Sequence, residues 1–159
     1  MYDLFRALAA YNRSTNAAIM SLMRSADEGK LTREHPTYYK SVLRTLLHLL
    51  RSDIRWLQRF SVPLGSAQAN LDFEGMGVQE YLRRRVEVDE EMVRLIDGMK
   101  ARDFSEVIRV EFGKGMIERP LWQLLLQWFT HHTHHRGQVS VQLDLEGVDN
   151  DYSGLLDKI

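Results

Sequence analysis

The stretch PLWQLLLQWFTHHTHHRGQVSVQLDLEG, residues 120–147, is the most informative part of this chain about its fold. Pro120 suits the first turn of a helix, where its missing N–H is not needed, and Gly147 is a typical residue for ending one. Between them, apolar residues recur at steps of three and four positions. This periodicity predicts a long amphipathic helix over about 120–146.

Three other segments have the same helical character, over residues about 2–28, 38–61 and 78–101. Four long helices with little else predict an all-α fold, a four-helix bundle. VIRVEF and GMIERP flank Gly113-Lys114-Gly115, and this alternation predicts a short hairpin between the third and fourth helices. The long connection over residues 62–77 is expected to cross one end of the bundle. A chain of 159 residues predicts one domain, residues 1–159.

The composition excludes several classes of function. The 159 residues include no cysteine, which excludes disulfides, zinc–thiolate sites and a cysteine nucleophile. A net charge of −1 does not indicate the basic surface that nucleic-acid-binding proteins usually have. The run Arg83 to Arg85 is interpreted as part of a solvated helix face. No apolar run is long enough to span a membrane, and no signal peptide is recognised, so a cytoplasmic location is expected.

Four of the six histidines fall within HHTHHRGQ, residues 131–138. On a helix, residues four apart lie about 40° apart around the axis and about 6 Å along it, so both can reach one metal ion. His132 lies near the middle of the apolar arc of the predicted helix, His131 and His135 lie on one flank, and His134 falls outside it. Periodicity therefore leaves three candidate ligands. Two alternatives stay open: chance enrichment of histidine on a polar surface, and a core histidine satisfied by hydrogen bonds.

Two familiar metal motifs are absent from this helix. HExxH requires a glutamate after the first histidine, and di-iron bundles require ExxH pairs with further glutamates. A third ligand from elsewhere must be His35 or His48, the two remaining histidines. His35 precedes a proline in a loop. On a helical wheel His48 faces away from the apolar arc of the second helix, beside Arg44 and Arg55, so periodicity alone predicts that it is exposed.

Two motifs together resemble those of the DinB-like (DNA-damage-inducible) family of metalloproteins. They are TLLHLLRSDIRWL, which spaces His48, Asp53 and Trp56, and HHTHHRGQ on the fourth helix. Tyr11, Asn12 and Asn16 also resemble the pattern of the family's first helix. The likeness extends over nearly the whole chain.

The resemblance implies a bundle that carries a divalent metal on three histidines, which correspond to His48, His131 and His135. Imidazole ligands suit zinc, nickel, copper and iron, and we expect zinc or nickel. The family further implies a homodimer, a small-molecule substrate and reactions that use glutathione, mycothiol or bacillithiol. The predicted function is metal-dependent activation of an external low-molecular-weight thiol for transfer to a small electrophile. The alternatives are a metal-dependent hydrolase and a stress-related protein that binds a metal or small ligand without turnover.

Four neighbouring residues have expected roles. Arg136 is expected to pair across the bundle, and Gly137 to allow close packing of another helix. Gln138 is a candidate partner for a ligand in the second coordination layer. Asp53 lies within the apolar arc of its helix and needs a partner, either an arginine or a dimer contact.

Overall fold

The computed structural model describes residues 1–62 and 71–156. Within them the helices are α1 (Tyr2–Ser25), α2 (Glu28–Thr32), α3 (Val42–Arg59), α4 (Val78–Asp97) and α5 (Leu121–Leu145), and the strands are β1 (Val107–Phe112) and β2 (Gly115–Pro120). The protein is thus mostly helical. Residues 63–70, part of the connection expected to cross one end of the bundle, lie outside the described residues.

The four long helices pack in pairs around a shared apolar core. Helix α1 contacts α4 and α5, and α3 contacts the same two helices. Leu50 of α3 and Trp128 of α5 are completely buried in this core, and Met92 of α4 is almost so. Because α5 lies between α1 and α3, one of its faces can carry residues that contact both.

Residues at the helix ends explain where the two site-bearing helices begin. The Ser41 hydroxyl accepts a hydrogen bond from the Arg44 backbone N–H at 3.3 Å, which caps the start of α3. Helix α5 begins directly after Pro120, in agreement with the sequence prediction. It ends at Leu145, two residues before Gly147, which takes a positive φ of 65°.

The predicted hairpin is confirmed, so the protein is mostly helical with a small two-stranded sheet. Strands β1 and β2 pair antiparallel with Val107 opposite Pro120 and Phe112 opposite Gly115. Gly113 has a φ of 63°, a conformation that favours glycine at the turn. The sheet packs against the start of α5.

Three helix boundaries differ from the predicted ones. Helix α1 ends at Ser25, and the separate helix α2 follows because the Asp27 side chain accepts from the Gly29 backbone N–H. Helix α3 begins at Val42 rather than near 38, since Lys40 takes a positive φ of 66° that no α-helix continues through. Helix α4 ends at Asp97, before Gly98.

Among the described residues, no helix combines the length and the apolar composition that a bilayer crossing requires.

Candidate metal centre

Three histidines from two helices come together between α3 and α5. The Nε2 atom of His48 lies 3.2 Å from Nε2 of His131, which lies 2.9 Å from Nε2 of His135. One ring nitrogen from each residue lies within 4.8 Å of the other two. The structure thus brings together the three residues that the family resemblance singled out.

The spacing of these nitrogens fits a single metal ion. With a metal–nitrogen bond of about 2.0–2.1 Å, two ligand nitrogens lie roughly 3.3 Å apart at a tetrahedral angle and roughly 2.9 Å apart at a right angle. The observed separations of 3.2 Å and 2.9 Å match these values. His131 is thus placed to share one ion with each of the other two histidines, and the third pair of nitrogens lies within 4.8 Å.

The hydrogen bonds of the rings also suit a cation. The Nδ1 atom of His135 lies 2.6 Å from Oε1 of Gln138, an oxygen that can only accept, so Nδ1 carries the proton. The Nε2 atom of His135 then presents its lone pair to the other two histidines. Ser52 Oγ lies 3.4 Å from Nδ1 of His131, and its hydroxyl can accept a hydrogen bond from an Nδ1–H there.

Burial keeps these imidazoles neutral. It lowers the pKa of His48 to about 4, and the neighbouring His135 and His131 add to the effect. Burial likewise lowers the pKa of His135 to about 4 and shifts the pKa of His131 downward. At neutral pH all three rings therefore offer unprotonated nitrogens, which metal binding requires.

The position of His48 corrects the expectation drawn from the helical wheel. His48 is half-buried, and Leu47 and Leu49 on either side of it are buried as well. Helix α3 packs against α2, α4 and α5, so it has no single apolar face. A wheel that assumes one apolar face therefore places His48 wrongly.

Tyr39, which the sequence analysis did not single out, covers the histidines from the segment before α3. Its ring stacks on His48 with centroids 4.3 Å apart and meets His135 edge-on at 5.4 Å. The turn that carries it is closed by a hydrogen bond from the His35 N–H to the Lys40 carbonyl at 2.6 Å. No periodic pattern marks a residue in such a turn.

His132 points about 100° away from His131 around α5 and has a different partner on α3. Its Nε2 atom lies 2.6 Å from Oδ1 of Asp53, and the Trp128 indole N–H donates to the same oxygen at 2.7 Å. Burial lowers the pKa of His132 and so favours the neutral ring, whereas the Asp53 carboxylate opposes this shift; in either form Nε2 carries the proton that is donated to Asp53. The other ring nitrogen, Nδ1, is buried with no hydrogen-bond partner among the described residues, which also favours the neutral form.

Asp53 anchors a buried polar layer. Its Oδ2 atom lies 2.6 Å from Nη1 of Arg85 on α4, so the expected pairing with an arginine is confirmed. Arg85 is itself buried, so the interpretation of Arg83 to Arg85 as a solvated helix face is wrong at this residue. Burial alone would raise the pKa of Asp53, yet His132 and Arg85, with the hydrogen bonds from His132 and Trp128, hold it well below its usual range. The carboxylate is therefore ionised within the core.

The same buried polar layer includes further residues from α4, α1 and α5. Arg85 also pairs with Asp89 at 2.9 Å, and the Asn16 amide donates to Asp89 at 2.8 Å. Arg136 donates to the side-chain oxygens of Asn12 and Asn16. Its role is thus structural, as expected, although its direct partners are amides. All four long helices contribute to this layer.

The remaining residues of HHTHHRGQ lie on the outer side of α5. His134 is exposed and is not part of the cluster of three. Gly137 is also exposed, and a Cβ atom added there would meet nothing within 4 Å among the described residues. The expectation that Gly137 lets another helix pack closely is therefore wrong for this chain.

Two clefts reach the cluster from solvent. One of about 570 Å³ is lined by Tyr39, His48, Arg51 and Phe73 among others. A smaller one of about 210 Å³ is lined by His48 and His131 on one side. Small molecules can therefore approach the histidines without a change in the fold.

These features define a class: a mostly helical protein in which three imidazoles from two helices lie close enough together to hold a metal ion. The comparison with known families agrees. The profile of the DinB family matches residues 1–153, and the chain belongs to this family. A search of curated proteins returns no match.

Proposed function

We propose that this protein is a four-helix bundle of the DinB-like type that binds one divalent metal ion through His48, His131 and His135. The observation that carries the proposal is the convergence of three neutral imidazole nitrogens at 2.9 Å and 3.2 Å. Zinc and nickel are the expected metals, because both accept imidazole ligands.

The ligand set suits a reactive site better than a closed structural one. Among the described residues, the group that can hold an ion consists of these three histidines and includes no carboxylate. Three protein ligands leave at least one position for an outside molecule. An ion with such ligands keeps its full charge, and the chemistry it supplies is to lower the pKa of a thiol or a water molecule.

We further propose that the outside molecule is a low-molecular-weight thiol that is transferred to a small electrophile. The chain contains no cysteine, so any thiol has to arrive with a cosubstrate. His48, His131 and His135 hold the reactive centre, Gln138 fixes the tautomer of His135, and Tyr39 shields the rings of His48 and His135 from water. A homodimer and a small-molecule substrate are part of the same proposal.

Metal content tests the binding proposal directly. Protein purified without a histidine tag or a nickel column should contain about one divalent ion per chain. Replacing any of His48, His131 or His135 with alanine should abolish stoichiometric metal, and the matched change His134→Ala should preserve it. Retention of metal by His131→Ala, together with its loss from His132→Ala, would contradict the assigned ligand set.

A reaction screen tests the thiol proposal separately. Small electrophiles are mixed with glutathione, bacillithiol, mycothiol or coenzyme A, and the metal-loaded protein is compared with His135→Ala. We expect acceleration only with a thiol and only in the metal-loaded protein. Acceleration of ester hydrolysis without a thiol would instead indicate a hydrolase, and no acceleration at all would favour binding without turnover.

A further inference from the structure

The solvent-facing charges of α3 are all positive. Arg51, Arg55 and Arg59 follow one another at intervals of four residues, so they lie along one side of the helix with a rise of about 6 Å per step. The helix contains one acidic residue, Asp53, which is buried and paired with Arg85. Nothing on this helix therefore offsets the charge of the three arginines.

These arginines line the cleft of about 210 Å³ that reaches the metal-site histidines. His48 and His131 lie at one end of the cleft, and Phe112 and Gly113 of the hairpin lie at the other. Between His48 and Arg59 the helix advances about 16 Å, at about 1.5 Å per residue. A molecule bound beside the arginines can thus point its other end along the cleft toward the histidines.

Among the described residues, the cleft arginines form no ion pairs, unlike several other arginines on the surface. Elsewhere Arg84 pairs with Glu80 and Arg94 with Glu91. In contrast, none of the ion pairs formed by the described residues involves Arg51, Arg55 or Arg59. The Glu111 carboxylate acts on the pKa of Arg59 from a distance without forming an ion pair.

Arg59 is held in place by one hydrogen bond and by two aromatic rings. Its Nε–H donates to the Glu111 carbonyl at 2.6 Å, and its guanidinium lies 4.8 Å from the Trp56 ring centroid and 5.4 Å from that of Phe112. Burial lowers the pKa of Arg59, the charge of Arg55 adds to this shift, and the Glu111 carboxylate opposes it. No hydrogen bond within the described residues uses the two terminal nitrogens of Arg59, and an anion there would offset the charges of Arg55 and Arg59.

We propose that this cleft binds a small organic anion, with its carboxylate or phosphate group between Arg55 and Arg59 and its other end directed along the cleft toward His48 and His131. Guanidinium groups bind both kinds of anion with paired hydrogen bonds. The cleft is smaller than the range of about 300–1,000 Å³ typical of sites for drug-sized ligands, so the anion is small. This inference rests on the proposed function for the reactive end, but the arginines bind the anion without the metal.

Calorimetric titration of the full-length protein tests the proposal. The probes are glutarate and glycerol 3-phosphate, with the neutral glutaramide and glycerol as matched controls. Both anions should bind and neither neutral compound should, and the affinities of the two anions distinguish carboxylate from phosphate recognition. Arg55→Gln and Arg59→Gln should each weaken binding about tenfold or more, because each removes hydrogen bonds to a charged group.

Two variants serve as controls. Arg13→Gln makes the same change at an exposed position of α1 and should bind like the wild type. Arg59→Lys keeps the charge but not the paired donors, and it should fall between wild type and Arg59→Gln. Equal affinity for anions and neutral compounds, wild-type binding by Arg55→Gln, or tighter binding of an oligonucleotide than of either anion would overturn the proposal.

The metal-binding proposal can fail independently of this one. Anion binding that persists in His135→Ala supports the arginine site whatever that variant's metal content. Stoichiometric metal in a wild-type protein that binds neither anion would overturn the anion site and leave the metal site intact.

Discussion

Nε2 of His132 lies 2.6 Å from the Asp53 carboxylate, whereas Nε2 of the adjacent His131 lies 3.2 Å from His48. Consecutive residues of a helix point about 100° apart, so the two rings reach different partners on the same neighbouring helix. One histidine belongs to the buried polar layer and the other to the proposed metal centre. This division predicts that the two can be disrupted separately.

Loss of the Asp53 carboxylate should destabilise the fold. Asp53→Ala leaves the buried Arg85 without its partner on α3, which typically costs about 3–5 kcal/mol. The free energy of unfolding in urea measures the loss, and Asp53→Asn, which keeps an acceptor for the indole of Trp128, should lose less. The control Glu90→Ala, at an exposed position of α4, should change stability by less than about 0.5 kcal/mol. Wild-type stability for Asp53→Ala would disprove the role of the layer.

Removal of the Gln138 side-chain oxygen should weaken metal binding without abolishing it. Gln138→Leu deprives Nδ1 of His135 of an acceptor at 2.6 Å, and such losses typically reduce metal affinity about 10- to 100-fold. Competition with a chromophoric chelator measures the affinity. Gln79→Leu, at an exposed position of α4, is the matched control. Equal affinities in the two variants would show that the hydrogen bond has no effect on the metal.

The metal-free protein should lose stability on acidification because of its site histidines. The pKa of His135 is about 4 in the folded protein and about 6.5 in an unfolded chain. Between these values the unfolded chain takes up a proton that the folded protein does not, so the free energy of unfolding falls as pH falls from about 6.5 to about 4.

Asp89 acts in the opposite direction, because burial raises its pKa to about 6. The measurement is therefore the difference in unfolding free energy between wild type and His135→Gln at each pH. The wild type should lose unfolding free energy relative to His135→Gln as the pH falls from about 6.5 to about 4. A difference that stays constant from pH 6.5 to 4 would contradict the lowered pKa.

Gly137→Ala should stabilise the protein by about 1 kcal/mol, since glycine is unfavourable within a helix and an added methyl group meets nothing. Urea unfolding measures this change, with size-exclusion chromatography run alongside. A loss of stability or of a dimer would indicate that a second chain packs against this position.

The helices were largely predictable from sequence, since each long one carries a long apolar repeat. Helix α2 was missed because it has only five residues and depends on the Asp27 cap. The hairpin was predicted because alternating residues flank a Gly-Lys-Gly turn. The single domain stays a prediction.

The candidate site was only partly predictable from sequence patterns. Periodicity placed His131 and His135 on one flank but could not separate them from His132, because burial alone does not distinguish a ligand from the partner of a carboxylate. The family resemblance identified His48 as a candidate ligand, although the helical wheel predicted that this residue is exposed. The sequence analysis did not identify Arg51, Arg55 and Arg59 as a group, because they are spaced four residues apart, whereas Arg83 to Arg85 are consecutive.

The buried layer around Asp53 ties the four long helices together without involving His48, His131 or His135. The residues that hold the helices together are therefore not those proposed to carry the chemistry. Replacing the cleft arginines or the three histidines should accordingly leave a protein that still folds. Such a variant would offer the same scaffold to a different set of site residues.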